Sequence, residues 1–159
     1  MRTLAGARYW LKKGNYNRAI TFLDFESMAK IVMDGYWDDM SYEQKQKMIS
    51  FMKNLIREKF PVITKRLKWL RFGKITMMGS TALCETVAVF DKTVENQDQK
   101  IHIGLKKQPN GTWKGVEVYI VMEGFLNGLN QDTVRPIMSN GGSIDQAMTA
   151  IRRVFEERQ

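Results

Sequence analysis

The sequence has little of the chemistry on which most enzymes and metalloproteins rely. One cysteine, Cys84, stands among 159 residues, so no intramolecular disulfide can form; its apolar setting reads as a small buried hydrophobe, not a nucleophile. The one histidine, His102, sits in Ile101-His102-Ile103 and points away from its apolar neighbours, toward solvent. No grouping of Cys, His and carboxylates has the spacing of a metal site, and Asp38-Asp39 reads as a pair of solvated turn residues. A Gly-rich phosphate loop and a nucleophile elbow are both absent. Asp24, Glu85, Glu117 and Glu123 are the carboxylates that an acid or base would draw on, but the sequence pairs none of them. The opening MRTLAGARYW holds no apolar run long enough for a signal-peptide core or a membrane span, and the chain as given reads as soluble.

Acid is scarce in one stretch. Between Lys53 and Lys74 the chain carries Lys53, Arg57, Lys59, Lys65, Arg66, Lys68, Arg71 and Lys74 against Glu58 alone, which accounts for nearly all of the formal charge of +8. Such a stretch is either a solvated face or a docking surface for an anionic partner: lipid headgroups, an acidic protein or nucleic acid. Phe60, Trp69 and Phe72 are interleaved with the charges as in a single-strand binder, yet no nucleic-acid motif accompanies them.

What is present is organised around Trp113 to Phe125. Val116, Val118, Ile120 and Met122 share one parity and Glu117, Tyr119 and Glu123 the other, the alternation of a strand with a dry and a wet side. The dry side covers either a solid core or a ligand cavity. Strands are expected at 72–78, 82–91, 99–107 and 113–123, separated by Gly79-Ser80, by Glu95 to Asp98 and by Pro109-Asn110-Gly111, the last a strong hairpin signal. Short links make neighbouring strands antiparallel, giving a four-stranded meander.

Helices flank it on both sides in sequence. Short helices are expected at 3–13 and about 17–22, the first stopped by Gly14, and Asp24 caps a helix with Phe25, Met28, Ile31 and Val32 on one face, closed by Gly35. Ser41 and Gln44 form a capping box before a long helix whose stripe is Met48, Met52, Leu55, Ile56 and Lys59, widened by Phe51. Pro61 ends or kinks it, and a further helix is expected through Val62, Leu67 and Leu70. After Gly124 come a helix around Val134, Ile137 and Met138, stopped by Gly141-Gly142, and a second capping box, Ser143 with Gln146, opening a helix lined by Ile144, Met148, Ile151 and Phe155. The expected fold is α+β, its helices packed over one face of the sheet. One domain spans 1–159, divided into an N-terminal helical segment (1–22), helices (23–70), the meander (72–123) and C-terminal helices (125–159).

Asp24-Phe25 with Met28-Ala29, Tyr36-Trp37, Gln44, Phe51 and Leu55, Trp113 with Val116 and Val118, Glu123-Gly124 and Gly141-Gly142 occur in an order that resembles the MlaC, or toluene-tolerance auxiliary, family over roughly residues 22–155. The chain departs from the family pattern after Glu-Gly, where it reads Phe125-Leu126-Asn127 and then Asn130-Gln131-Asp132. The resemblance implies a fold similar to the cone-shaped nuclear-transport-factor-2-like fold. It also implies a periplasmic phospholipid carrier, its export signal removed, shuttling lipid between an outer-membrane lipoprotein complex and an inner-membrane ABC transporter with an MCE domain. No catalysis, cofactor, metal or nucleic acid is expected; phospholipid is cargo. The expected lining is Trp37, Phe51, Met52, Leu55, Val89, Ile103, Val116, Val118, Ile120 and Met122, with Lys65, Arg66, Lys68 and Arg71 docking on a headgroup or partner during transient membrane contact. Eleven methionines suit an adaptable lining, although Met also fills solid cores. An enzyme on the same scaffold with a carboxylate base, and a basic nucleic-acid-binding module, are the rival readings.

Overall fold

Short connections dictate the sheet, because links of a few residues leave a strand no partner but its antiparallel neighbour. The computed structural model describes residues 2–91, 98–120 and 122–157. Strands β1 (Leu67–Met78), β2 (Thr81–Phe90), β3 (Asp98–Lys107), β4 (Trp113–Ile120) and a two-residue β5 (Glu123–Gly124) lie in chain order in one antiparallel sheet. The β3–β4 hairpin turns as expected: Gly111 takes φ +84, and the Asn110 carboxamide accepts from the amide and hydroxyl of Thr112. The turn expected from Glu95 to Asp98 lies, apart from Asp98, outside the described residues.

The register assembles two unlike faces. Ile75, Cys84, Ile103 and Val118 form one row across the sheet, and Phe72, Thr86, Ile101 and Ile120 the next, so one face is apolar. Glu85, His102 and Tyr119 form a row on the opposite, polar face. Bulges interrupt β1 between Phe72 and Ile75 and the β3–β4 pair beside Gly104, where Val116 is the extra residue.

Helices lie against both faces, not one. α1 (Arg2–Lys12) crosses the apolar face: Leu4 is buried with Ala82, Cys84 and Leu105, the Thr3 hydroxyl donates to the Trp113 carbonyl, and the Arg8 guanidinium reaches the Leu70 carbonyl. After α2 (Tyr16–Ala19) and a 3-10 turn (Ile20–Phe22) the chain passes the β4 edge, where Leu23 bridges Gly115 and the Asp24 amide donates to the Gly115 carbonyl at 2.9 Å. α3 (Phe25–Val32) then stands on the polar side, where the Lys106 amine donates to the Ser27 hydroxyl at 3.2 Å.

α3 joins α4 (Tyr42–Ile63), α5 (Phe125–Leu129), a π turn (Asn130–Val134), α6 (Arg135–Ser139) and α7 (Ile144–Glu157) around the larger core, which includes Val32, Met48, Met52, Leu55, Val134 and Ile151, all with no exposed surface. Six of the eleven methionines, Met28, Met33, Met40, Met48, Met52 and Met148, are spent in this solid packing. Both capping boxes form: Ser41 with Gln44 at 2.9 and 3.1 Å, Ser143 with Gln146 at 2.8 and 3.1 Å.

Two expectations fail between residues 61 and 70. No second helix follows Pro61; α4 runs through it to Ile63, where the Thr64 amide and hydroxyl both donate to the Phe60 carbonyl. Leu67 and Leu70 belong to β1, paired with Phe90 and Ala88, because a full ladder against β2 outweighs the helical spacing of a few leucines. The helical segment therefore ends at Ile63, not near residue 70, and the sheet has a fifth, two-residue strand, Glu123–Gly124, beyond the four expected.

Leu55→Ala removes a side chain with no exposed surface and should cost about 2–5 kcal/mol, whereas Val62→Ala at a 48% exposed position should stay within about 0.5 kcal/mol. Urea unfolding of the two variants checks the placement of the core.

Candidate functional site

The sequence makes β4 amphipathic, but which side is dry depends on what packs against it. The structure reverses the expectation. Glu117, of the polar parity, is 6% exposed, while Val118 and Ile120, of the apolar parity, are 38% and 46% exposed. The cause is the path of the chain at the β4 edge: α3 and α5 are seated on the polar side, whereas α1 covers the apolar face only from the start of β4 to Leu70 of β1. Val118 and Ile120, with half-buried Ile101 beside Ile120 on β3, are left as an apolar patch facing outward. Met122 follows at 75% exposure and φ +66, a backbone state that costs a non-glycine residue about 1–2 kcal/mol.

Glu117 is buried because it does structural work that its neighbours require. Its Oε1 accepts from the amides of Val118 and Leu126, each at 2.9 Å, and its Oε2 from the amide of Asn127 at 3.0 Å. The last two are free amides of the first turn of α5, whose preceding residue, Gly124, has no side chain with which to cap it. A Cβ at Gly124 would stand 2.6 Å from the Glu117 carboxylate, so the glycine is what admits it.

Beside this joint a cleft of about 570 Å³ opens between α3, β4 and α5, lined by Lys30, Ile31, Asp34, Glu117, Tyr119 and Asn127 and by the β4–β5 turn. Burial, and then the negative Glu117, push the Tyr119 phenol above its ordinary value, so it stays a neutral donor there. Its mixed charges suit a polar or zwitterionic group, set beside the apolar side chains of Ile31 and Met122.

Two of the four candidate acid–base carboxylates are already committed. Glu117 holds three amides, and Asp24 accepts from the Ser27 amide at 3.0 Å, the Ser27 hydroxyl at 2.7 Å and the Gln108 amide at 3.1 Å. Glu85 and Glu123 are exposed. Among the described residues no group of three or more His, Cys, Asp or Glu could hold a metal ion, and no helix is long and apolar enough to cross a membrane.

The expected lining does not come together as one site. Met52 and Leu55 are fully buried in the helical core, Phe51 and Trp37 are half-buried against it, and Ile103 packs in the smaller core under Leu4. Val89 is on the polar side of the sheet, Val116 is in the bulge, and Val118 and Ile120 share the exposed patch. Lys65, Arg66, Lys68 and Arg71 are exposed at the α4–β1 junction and on β1. Sequence reasoning passed over Asn130, which is wholly buried: its amide donates to the Val32 and Asp34 carbonyls at 2.8 and 2.9 Å and its oxygen accepts from Arg135 at 2.8 Å. It ties the π turn to the end of α3; an asparagine flanked by Leu129 and Gln131 gives no signal of this in sequence.

No protein-family model and no curated protein matches the sequence. Among solved structures the chain is similar to a phospholipid-binding protein from Ralstonia solanacearum, determined in complex with a phospholipid. The likeness has a TM-score of 0.67 at 14% sequence identity and covers 99% of this chain and 92% of that one. Two chains share one fold.

The Asp24 carboxyl gives the site a pH signature. Burial pushes it up, but the bonds from Ser27 and Gln108 and the Lys106 ammonium outweigh burial and hold it below the ordinary aspartate range. A depressed carboxyl contributes stability that is present above its unfolded value, near ~3.9, and is lost as pH falls through the folded value. Asp24→Asn should therefore be less stable than the parent at neutral pH by about 1 kcal/mol, with the gap closing in strong acid. Thermal melts of both proteins across the acid range check it.

Proposed function

We propose that the protein is a non-enzymatic phospholipid carrier of the MlaC kind, periplasmic, which exchanges lipid with an outer-membrane lipoprotein complex and an inner-membrane ABC transporter. The observation that carries this reading is the likeness, over nearly the whole chain, to a protein holding a phospholipid. The ordered residues from Asp24-Phe25 to Gly141-Gly142 support it from the sequence side. A cone of the nuclear-transport-factor-2-like type belongs to the same proposal, and the bulges in β1 and beside Gly104 are the kind of feature that curves a sheet toward it.

The chemistry of such a cargo matches the side chains on offer. Each buried methylene contributes about 0.8 kcal/mol, so one sequestered acyl chain supplies on the order of 10 kcal/mol without a hydrogen bond. An acyl chain needs apolar wall, and Val118 and Ile120, beside half-buried Ile101, provide one that the helices leave open. The charged cleft round the β4–β5 turn has the polarity a headgroup needs.

The test is to place charge on the patch. Val118→Asp with Ile120→Asp alters positions 38% and 46% exposed, so melting should change little, while affinity for a fluorescent phospholipid should fall roughly tenfold or more, about 1.4 kcal/mol. Unchanged lipid affinity in a folded double variant would remove the patch from the proposal.

A further inference from the structure

Two stretches without acid meet at one end of the molecule. Residues 1–23 hold Arg2, Arg8, Lys12, Lys13 and Arg18 and no acid; residues 59–84 hold Lys59, Lys65, Arg66, Lys68, Arg71 and Lys74 and none. The fold brings them side by side, since Arg8 and Lys12 of α1 line a small crevice with Thr64, Lys68 and Trp69, and the Arg8 guanidinium donates to the Leu70 carbonyl at 3.4 Å. Lys12, Lys13, Lys65, Arg66 and Lys68 are exposed, and none of them forms a salt bridge among the described residues. Among the described residues the adjoining acids include Glu58, whose carboxylate is taken by Arg152 at 2.8 Å, and Asp91, whose amide donates to the Arg66 carbonyl.

The same end exposes large apolar side chains. Val62 and Ile63, in the last turn of α4, are 48% and 53% exposed, and Tyr9 on α1 is 53% exposed. The aromatic faces here are already engaged: Arg8 and Lys12 lie 4.6 and 5.0 Å from the centroid of Trp69, Lys13 lies 5.8 Å from Tyr9, and Arg18 lies 4.4 Å from Trp10. Rings covered by cations are poor platforms for stacking bases, and two neighbouring aliphatics have no use on a phosphodiester backbone. Cations ringing exposed Val, Ile and Tyr match instead the two layers of a bilayer interface, phosphates outside and acyl boundary beneath.

We infer that this end, built from α1 and the α4–β1 junction, docks onto anionic lipid bilayers: Val62, Ile63 and Tyr9 enter the headgroup layer while Lys12, Lys13, Lys65, Arg66 and Lys68 lie on lipid phosphates. The surface is separate from the Val118–Ile120 patch and does not depend on the protein carrying lipid. A carrier would use it to reach its membranes, but docking is measurable whether or not cargo is bound.

Co-sedimentation with vesicles tests it on the whole chain, using phosphatidylglycerol mixed into phosphatidylcholine, phosphatidylcholine alone, and an RNA oligonucleotide as a competing polyanion. Binding should require phosphatidylglycerol and weaken as salt rises. Lys65→Glu with Arg66→Glu and Lys68→Glu should lower vesicle affinity by about tenfold or more. Val62→Ser with Ile63→Ser should also weaken binding while leaving its salt dependence intact, because only the apolar part of the contact is removed. Each variant's melting curve should match the parent's, all five positions being exposed. Absence of binding to anionic vesicles, equal binding by the variants and the parent, or capture of RNA without vesicle binding would each overturn the inference, the last by assigning the surface to nucleic acid.

Discussion

The Glu117 carboxylate is the joint on which the arrangement of layers depends. It projects from the sheet into the first turn of α5, where two of its three amide bonds, to Leu126 at 2.9 Å and Asn127 at 3.0 Å, fix the helix against the strand. Charge-assisted bonds of this kind are worth more than neutral ones, and a buried carboxylate left without them would be costly. Because Glu117 turns the polar parity of β4 toward the helices, Val118 and Ile120 must turn away from them. The outward apolar patch is thus a consequence of how the sheet is fastened, and Asp24 fastens the same edge a second time through Ser27 and Gln108.

Much of the fold was legible where one residue determines a local geometry. Asn110-Gly111 sets a hairpin turn, Ser41 with Gln44 and Ser143 with Gln146 set helix starts, and Asp24 sets another, each by bonds that span at most four residues. Leu67 and Leu70 have a spacing that fits a helix locally, while the ladder that claims them runs to Ala88 and Phe90, some twenty residues away.

The site was harder to read for a different reason. Alternation in Val116 to Glu123 says that the two sides of a strand differ, but it does not say which side a helix will cover, and a carboxylate satisfied by amides can be the buried one. The ten residues expected to line one cavity rest on apolar character and on the resemblance, and neither says which of them the helical core will claim. Met52 and Leu55 went to the helical core because that core needed filling, whereas Val118 and Ile120 did not. The role of Asn130 is not legible in sequence because its partners, the Val32 and Asp34 carbonyls, are nearly a hundred residues away.

The proposed lipid reading joins three things: fastening through Glu117, an apolar patch left open beside it, and a fold shared with a solved chain. Native mass spectrometry of the purified protein, with lipid extraction from the same sample, tests this most directly. The account predicts a population heavier than the bare chain by one phospholipid, with a matching glycerophospholipid in the extract. A protein that stays at its bare mass, even after incubation with phospholipid vesicles, would contradict it.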